Sequence, residues 1–179
     1  MSGLEIASFI ISIFATVAAI FGMQCKNMRN VVLGQLISNV LLGVQYIIEG
    51  ALSAAVTVPF AIALSVICFT YSIKKKKVPV FFIILFLIIF SVVVVFTYTG
   101  LYDLLALTAL YFCVLSITSR KSYQARVCTA INCICWLIYD ILCAPSAILT
   151  HSVVLAFTVI GIIRLDRKEW KRLFVKNAK

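Results

Sequence analysis

Asn39 and Asn132 are the only asparagines inside long apolar stretches of this chain. A side-chain amide offers two donors and an acceptor, and stripping it of water without a partner costs about 1–3 kcal/mol. Each amide has companions at helical spacing. Gln35, Asn39, Leu42 and Tyr46 form one stripe, and Thr129, Asn132, Trp136 and Tyr139 form the other. Such stripes can hold a polar solute: the amides, Gln35 and Thr129 hydrogen-bond it, while Trp136, Tyr139 and Tyr46 wall it in. They can also be glue between helices, where a membrane asparagine bond is worth about 0.6–2 kcal/mol. Both readings stand at this point. Polar and aromatic residues running along three turns favour the pocket.

The other candidates are fewer. His151 is the single histidine, and histidine is the side chain suited to coupling solute movement to protons. The plainer reading is an interfacial polar residue near a helix end. Asp140 and Glu49 border turns free of Lys and Arg, and read as ordinary loop acids or as an acidic vestibule that attracts cations. Among the seven cysteines, Cys133 and Cys135 form a C-x-C pair. On a helix these two point about 200° apart, so they cannot share a metal. Cys143 alone lies where an oxidant easily reaches, without an evident partner. There is no inward carboxylate pair, no histidine cluster and no glycine-rich phosphate loop. We therefore expect no enzyme activity, no metal site and no cofactor.

What positions these residues is a membrane bundle. The chain has 179 residues, 64% of them hydrophobic, with a mean hydropathy of +1.14. No soluble domain of this length has interior enough to hide that much apolar surface. The net charge of +10 does not signal nucleic acid, because every basic residue lies in a short gap between apolar runs or in the tail. No basic segment precedes the first apolar run, so no signal peptide is expected.

A span needs about 20 apolar residues. Seven spans are predicted, at roughly 4–23, 31–48, 52–73, 79–98, 102–118, 126–143 and 147–164. All 16 Lys and Arg fall in alternate connectors, QCKNMRN, KKKK and SRKSYQAR, and in the tail from Arg164. The positive-inside rule then gives the N-terminus outside and the C-terminus in the cytoplasm. Lys74–Lys77 anchor that topology and suit anionic lipid. The tail segment EWKRLFVK suits a short basic helix on the inner surface.

Sliding the chain by 93 residues lays Asn39 on Asn132, Tyr46 on Tyr139 and Thr57 on Thr150. This predicts an all-α membrane fold of two parallel three-helix repeats, residues 1–78 and 100–165. A linker helix at 79–99 joins them, and a basic cytoplasmic tail covers 166–179. A pseudo-twofold axis would bring the two asparagine stripes face to face near the bilayer midplane. Gly43 is the repeat mate of Trp136, a small side chain opposite a large one. Pro59 predicts a kink in the third span near Ala55. Its repeat mate Ser152 predicts a straighter seventh.

The three-plus-one-plus-three pattern resembles the SWEET and PQ-loop transporters, and the PnuC vitamin transporters share it. More closely, NVLLGVQYIIEGALSAAV and CWLIYDILCAPSAILTHSVVLAFTVIGIIRL resemble the YgjV-type bacterial inner-membrane proteins across nearly the whole chain. Two departures stand out. Spans 1 and 5 lack the proline that SWEET proteins share, and Trp136 is the only tryptophan in a span, so the PnuC tryptophan pairs are missing. The resemblance implies a multi-pass inner-membrane transporter or facilitator for a small polar metabolite. The alternative is an accessory membrane protein that carries nothing. The partners expected are the solute, the bilayer and a second copy of the chain, with no nucleic acid.

Overall fold

The computed structural model describes residues 3–49, 52–98, 100–143 and 148–166. Within them the chain forms seven α-helices and no strand: α1 (Gly3–Gln24), α2 (Met28–Glu49), α3 (Leu52–Ile73), α4 (Val80–Phe96), α5 (Asp103–Thr118), α6 (Ser122–Cys143) and α7 (Ile148–Leu165). Five are long and apolar enough to cross a bilayer, while α4 and α5 are shorter. The expected span at 79–98 is trimmed because Pro79 caps the start of α4 and the helix ends at Phe96, with Thr97 bonding back to Val93. α2 and α6 begin earlier than hydropathy suggests, since the polar turns at Met28–Asn30 and Ser122–Ala125 are already helical.

The protein is inside-out relative to a soluble domain. Phe14, Phe21, Ile47, Phe81, Phe96 and Ile163 face outward, whereas Ser12, Gln45, Ser65, Asp103, Ser116, Arg126, Asp140 and Thr158 are buried. Lipid reverses the usual sorting, because polar groups that would cost free energy against hydrocarbon turn to the bundle interior. The largest apolar cluster joins Leu64 and Cys68 of α3, Phe86 and Phe90 of α4, and Leu110 and Val114 of α5.

Helix packing closes a ring. α1 packs on α2, α2 on α3, α3 on α5, α5 on α6, α6 on α7, and α7 back on α1. α4 stands outside, wedged against α3 and α5, with the Ser91 and Tyr111 hydroxyls 2.6 Å apart across that contact. The tightest crossing is α1 on α2. A Cβ at Gly34 would sit 2.7 Å from both the Ala18 carbonyl oxygen and Gly22 Cα, so only glycine lets these backbones meet. Gly43, expected opposite Trp136, instead packs against Val58 of α3.

The basic connectors gather at one end of the bundle. Asn27, Lys75–Lys77 and Arg120 line one cleft there, and the Ser122 hydroxyl donates to the Lys26 carbonyl. α3 continues through Pro59, whose missing N–H leaves the Ala55 carbonyl without its helical donor. The side chains of Glu49 and Cys143, and the tail from residue 167, lie outside the described residues.

Candidate functional site

A cavity of about 110 Å³ opens inside the ring, several times the ~10–15 Å³ that one water requires. All six ring helices line it. α2 contributes Gln35, Asn39, Leu42 and Tyr46; α6 contributes Thr129, Asn132 and Trp136; Met23, Thr57, Cys113 and His151 come from α1, α3, α5 and α7. The whole predicted α2 stripe and three of the four α6 positions thus reach one space.

Tyr139 does not line it. Trp136 shields it, with the two rings edge-on at 5.4 Å. Tyr139 instead borders a small neighbouring cavity beside Asp103 and Trp136. The reason is not the helical angle, since seven residues on from Asn132 Tyr139 lies only about 20° off its direction; it is height, Tyr139 standing about 10 Å farther along the axis, beyond Trp136.

The two amides are not bonded to each other. Asn39 Nδ2 donates to Ser65 Oγ at 3.3 Å, and Asn132 meets the Cys113 thiol. Gln35 is anchored more firmly. Its Nε2 donates to Ser116 Oγ at 3.1 Å and to Thr129 Oγ1 at 3.2 Å, and those hydroxyls lie 2.7 Å apart. The Gln35 amide is therefore fixed with its nitrogen turned into the protein. Its Oε1 is buried with no hydrogen-bond partner.

Asp140 is no loop acid. It is 1% exposed, and its Oδ2 lies 2.6 Å from His151 Nδ1. His151 is buried as well, and its ring stacks on Trp136 at 5.8 Å with an 8° tilt. Both the vestibule and the loop-acid readings of Asp140 fail, because its side chain is shut inside the bundle on α6. Asp140 lies on the last turns of α6 and His151 on the first turn of α7, so the helical hairpin folds one onto the other. An ionised carboxylate can only accept, so Nδ1 is the donor to it.

Arg126 was read from its place in SRKSYQAR as a topology signal, yet it is fully buried. Its NH1 meets both Asp166 oxygens at 2.7 and 2.8 Å. Nε donates to the Met23 carbonyl at 2.8 Å and NH2 to the Cys25 carbonyl at 2.6 Å. One guanidinium thus ties the ends of α1 and α7 to the start of α6, using the fork geometry that a lysine lacks. Sequence spacing gave no sign of this cluster, because its partners lie 40 and about 100 residues away.

Comparison with known proteins gives one match. The family model Imp-YgjV, a bacterial inner membrane protein family, matches residues 6–169. No curated protein and no solved structure matches the chain.

Proposed function

Because the chain belongs to the Imp-YgjV family of bacterial inner membrane proteins, we propose that it carries a small polar, uncharged metabolite across that membrane, held in the central cavity. It is a multi-pass inner-membrane protein, so its solvent is lipid and its only polar space is internal. The observation that carries the reading is the cavity itself, lined by both intramembrane asparagines and by Gln35. Among the described residues no Lys, Arg, Asp or Glu lines it, which suits a neutral solute, since an ion would enter at a heavy desolvation cost.

The order of packing supports two units. Exchanging α1, α2 and α3 for α5, α6 and α7 maps the ring of neighbours onto itself, with α4 the odd helix out. That is the arrangement a three-plus-one-plus-three protein with a twofold axis along the membrane normal would have. Gathered basic connectors support the cytoplasm at that end, hence N-terminus out and C-terminus in. In this reading the two units rock about the cavity. Asp140 and His151, a charge-capable pair stacked against Trp136, are the candidates for coupling that motion to protons.

The test has two stages. A thermal-shift screen of the purified protein over sugars, vitamins and amino acids identifies a ligand, and uptake of that ligand into proteoliposomes follows. The variant Asn39→Ala/Asn132→Ala should fold, lose the shift and lose uptake. Uptake at the wild-type rate in that variant would remove the assigned site. A protein with neither ligand shift nor uptake is the accessory protein of the alternative reading.

A further inference from the structure

The basic end of the bundle holds a second, larger cleft of about 370 Å³. It lies between the start of α2, the end of α3 and the end of α5, apart from the central cavity. Lys75, Lys76, Lys77 and Arg120 line it, with the hydroxyls of Ser72 and Ser119 among them. Among the described residues, no acidic side chain lines it. Four like charges around one concavity repel one another, so the cleft favours an anion.

The backbone holds the lysines there at a cost. Lys76 N–H bonds the Tyr71 carbonyl at 3.0 Å, and Lys75 N–H bonds the Ser72 carbonyl at 3.2 Å. This paired ending of α3 requires a left-handed residue just past the helix, where glycine is usual. Here the residue is Lys75, at φ 51°. A flexible basic side chain occupies a position that stability alone would give to glycine.

The chemistry selects an oxyanion. Ammonium groups, a guanidinium fork and the Ser72 hydroxyl together match the acceptor oxygens of phosphate. The floor of the cleft is apolar, formed by Val32, Cys68 and Ile117. We infer that this cleft binds a phosphate group, from the headgroup of an anionic phospholipid or as free phosphate. The inference stands apart from the transport reading, sharing no residue with the central cavity.

The experiment uses the full chain in neutral detergent, with unfolding temperature as the readout. The probes are phosphatidylglycerol, phosphatidylcholine, sodium phosphate, and sodium chloride at matched ionic strength. Phosphatidylglycerol should raise the unfolding temperature and phosphatidylcholine should not. Lys75→Gln/Lys76→Gln/Lys77→Gln should lose that rise. A rise with sodium phosphate but not with phosphatidylglycerol supports the same site with free phosphate as its ligand. Arg120→Gln, outside the lysine run, makes the same comparison should the triple variant not fold. Native mass spectrometry, counting phosphatidylglycerol retained by wild type and variant, gives an independent measure. Equal rises with both lipids, a rise that survives in the variants, or no rise with any phosphate compound would overturn the inference.

Discussion

Asp140 and His151 are eleven residues apart and meet across a helical hairpin at 2.6 Å. Both are largely buried, so neither has water to fall back on. Removing one member of a buried pair typically costs about 3–5 kcal/mol, much of it from stranding the other. Asp140→Ala and His151→Ala should therefore each destabilise the protein strongly, and the double variant should lose far less than the sum. A coupling energy of about 1–3 kcal/mol is the expected size for contacting groups, read from unfolding in mixed micelles. Additive losses would mean that the contact contributes nothing. At the cavity, Gln35→Glu would replace the NH₂ that donates to Ser116 and Thr129 with an acceptor. That leaves Thr129 Oγ1 without a donor, Ser116 Oγ still accepting from Thr129, and puts a carboxylate on a wall that has none among the described residues. The variant should fold less stably and lose ligand response, while Gln35→Met, similar in length and apolar, should keep more of the fold yet still lose the response. Retention of ligand response in both variants would remove Gln35 from the site.

At the scale of the element, the helices were largely legible and the polar contacts between them were not. Apolar runs bounded by basic connectors marked all seven helices, because lipid demands continuous apolar stretches with charge only at their ends. The same logic hid α2 and α6 residues that are polar yet helical, and it read Asp140 and Arg126 as loop chemistry because each stands near the end of a run. Asn39 and Asn132 betrayed the cavity since an amide in an apolar span is conspicuous. Ser65, Ser116, Cys113 and Thr129 complete the hydrogen bonding, but small hydroxyls and thiols are common in membrane helices and carry no such signal. Which residues pack together is likewise a matter of tertiary placement, and the glycines show it. A Cβ at Gly34 meets backbone at 2.7 Å, whereas one at Gly43 meets the tip of the Val58 side chain. Backbone cannot turn aside but a side chain can change rotamer. Gly34→Ala should thus force α1 from α2 and cost about 1–3 kcal/mol, as overpacking does, and Gly43→Ala should cost clearly less. Equal losses in unfolding measurements would contradict the close crossing.

For the whole molecule, the issue is what holds the two proposed units together and what must break for them to rock. Among the described residues, two buried polar ties cross the α1–α7 side, beside the exposed bond from Gln24 Nε2 to the Phe157 carbonyl at 2.7 Å. Near the basic end Arg126 of α6 holds the Met23 and Cys25 carbonyls of α1. Farther from that end, the Ser12 and Thr150 hydroxyls lie 2.6 Å apart. Arg126 is the stronger of the two, because hydrogen bonds from a charged donor are worth about 1.5–3 kcal/mol each. If rocking opens the cavity at the basic end, these bonds belong to the closed state alone, and deleting them should raise the open population by about ten-fold or more, since 1.4 kcal/mol is a factor of ten. Deleting Arg126 by itself would strand Asp166 and confuse gating with unfolding. Arg126→Met/Asp166→Leu removes the charge pair as a unit, a replacement that is often neutral or stabilising, while still freeing the two α1 carbonyls. Cys113 reports the result, being a free thiol on the cavity wall. With the other cysteines replaced, a membrane-impermeant maleimide added from the basic side should label Cys113 about ten-fold faster in the double variant than in the parent. Labelling from the opposite side should slow or stay the same. Identical rates from both sides in both proteins would mean that the Arg126 cluster is a fixed strut, and that the units do not part at this end.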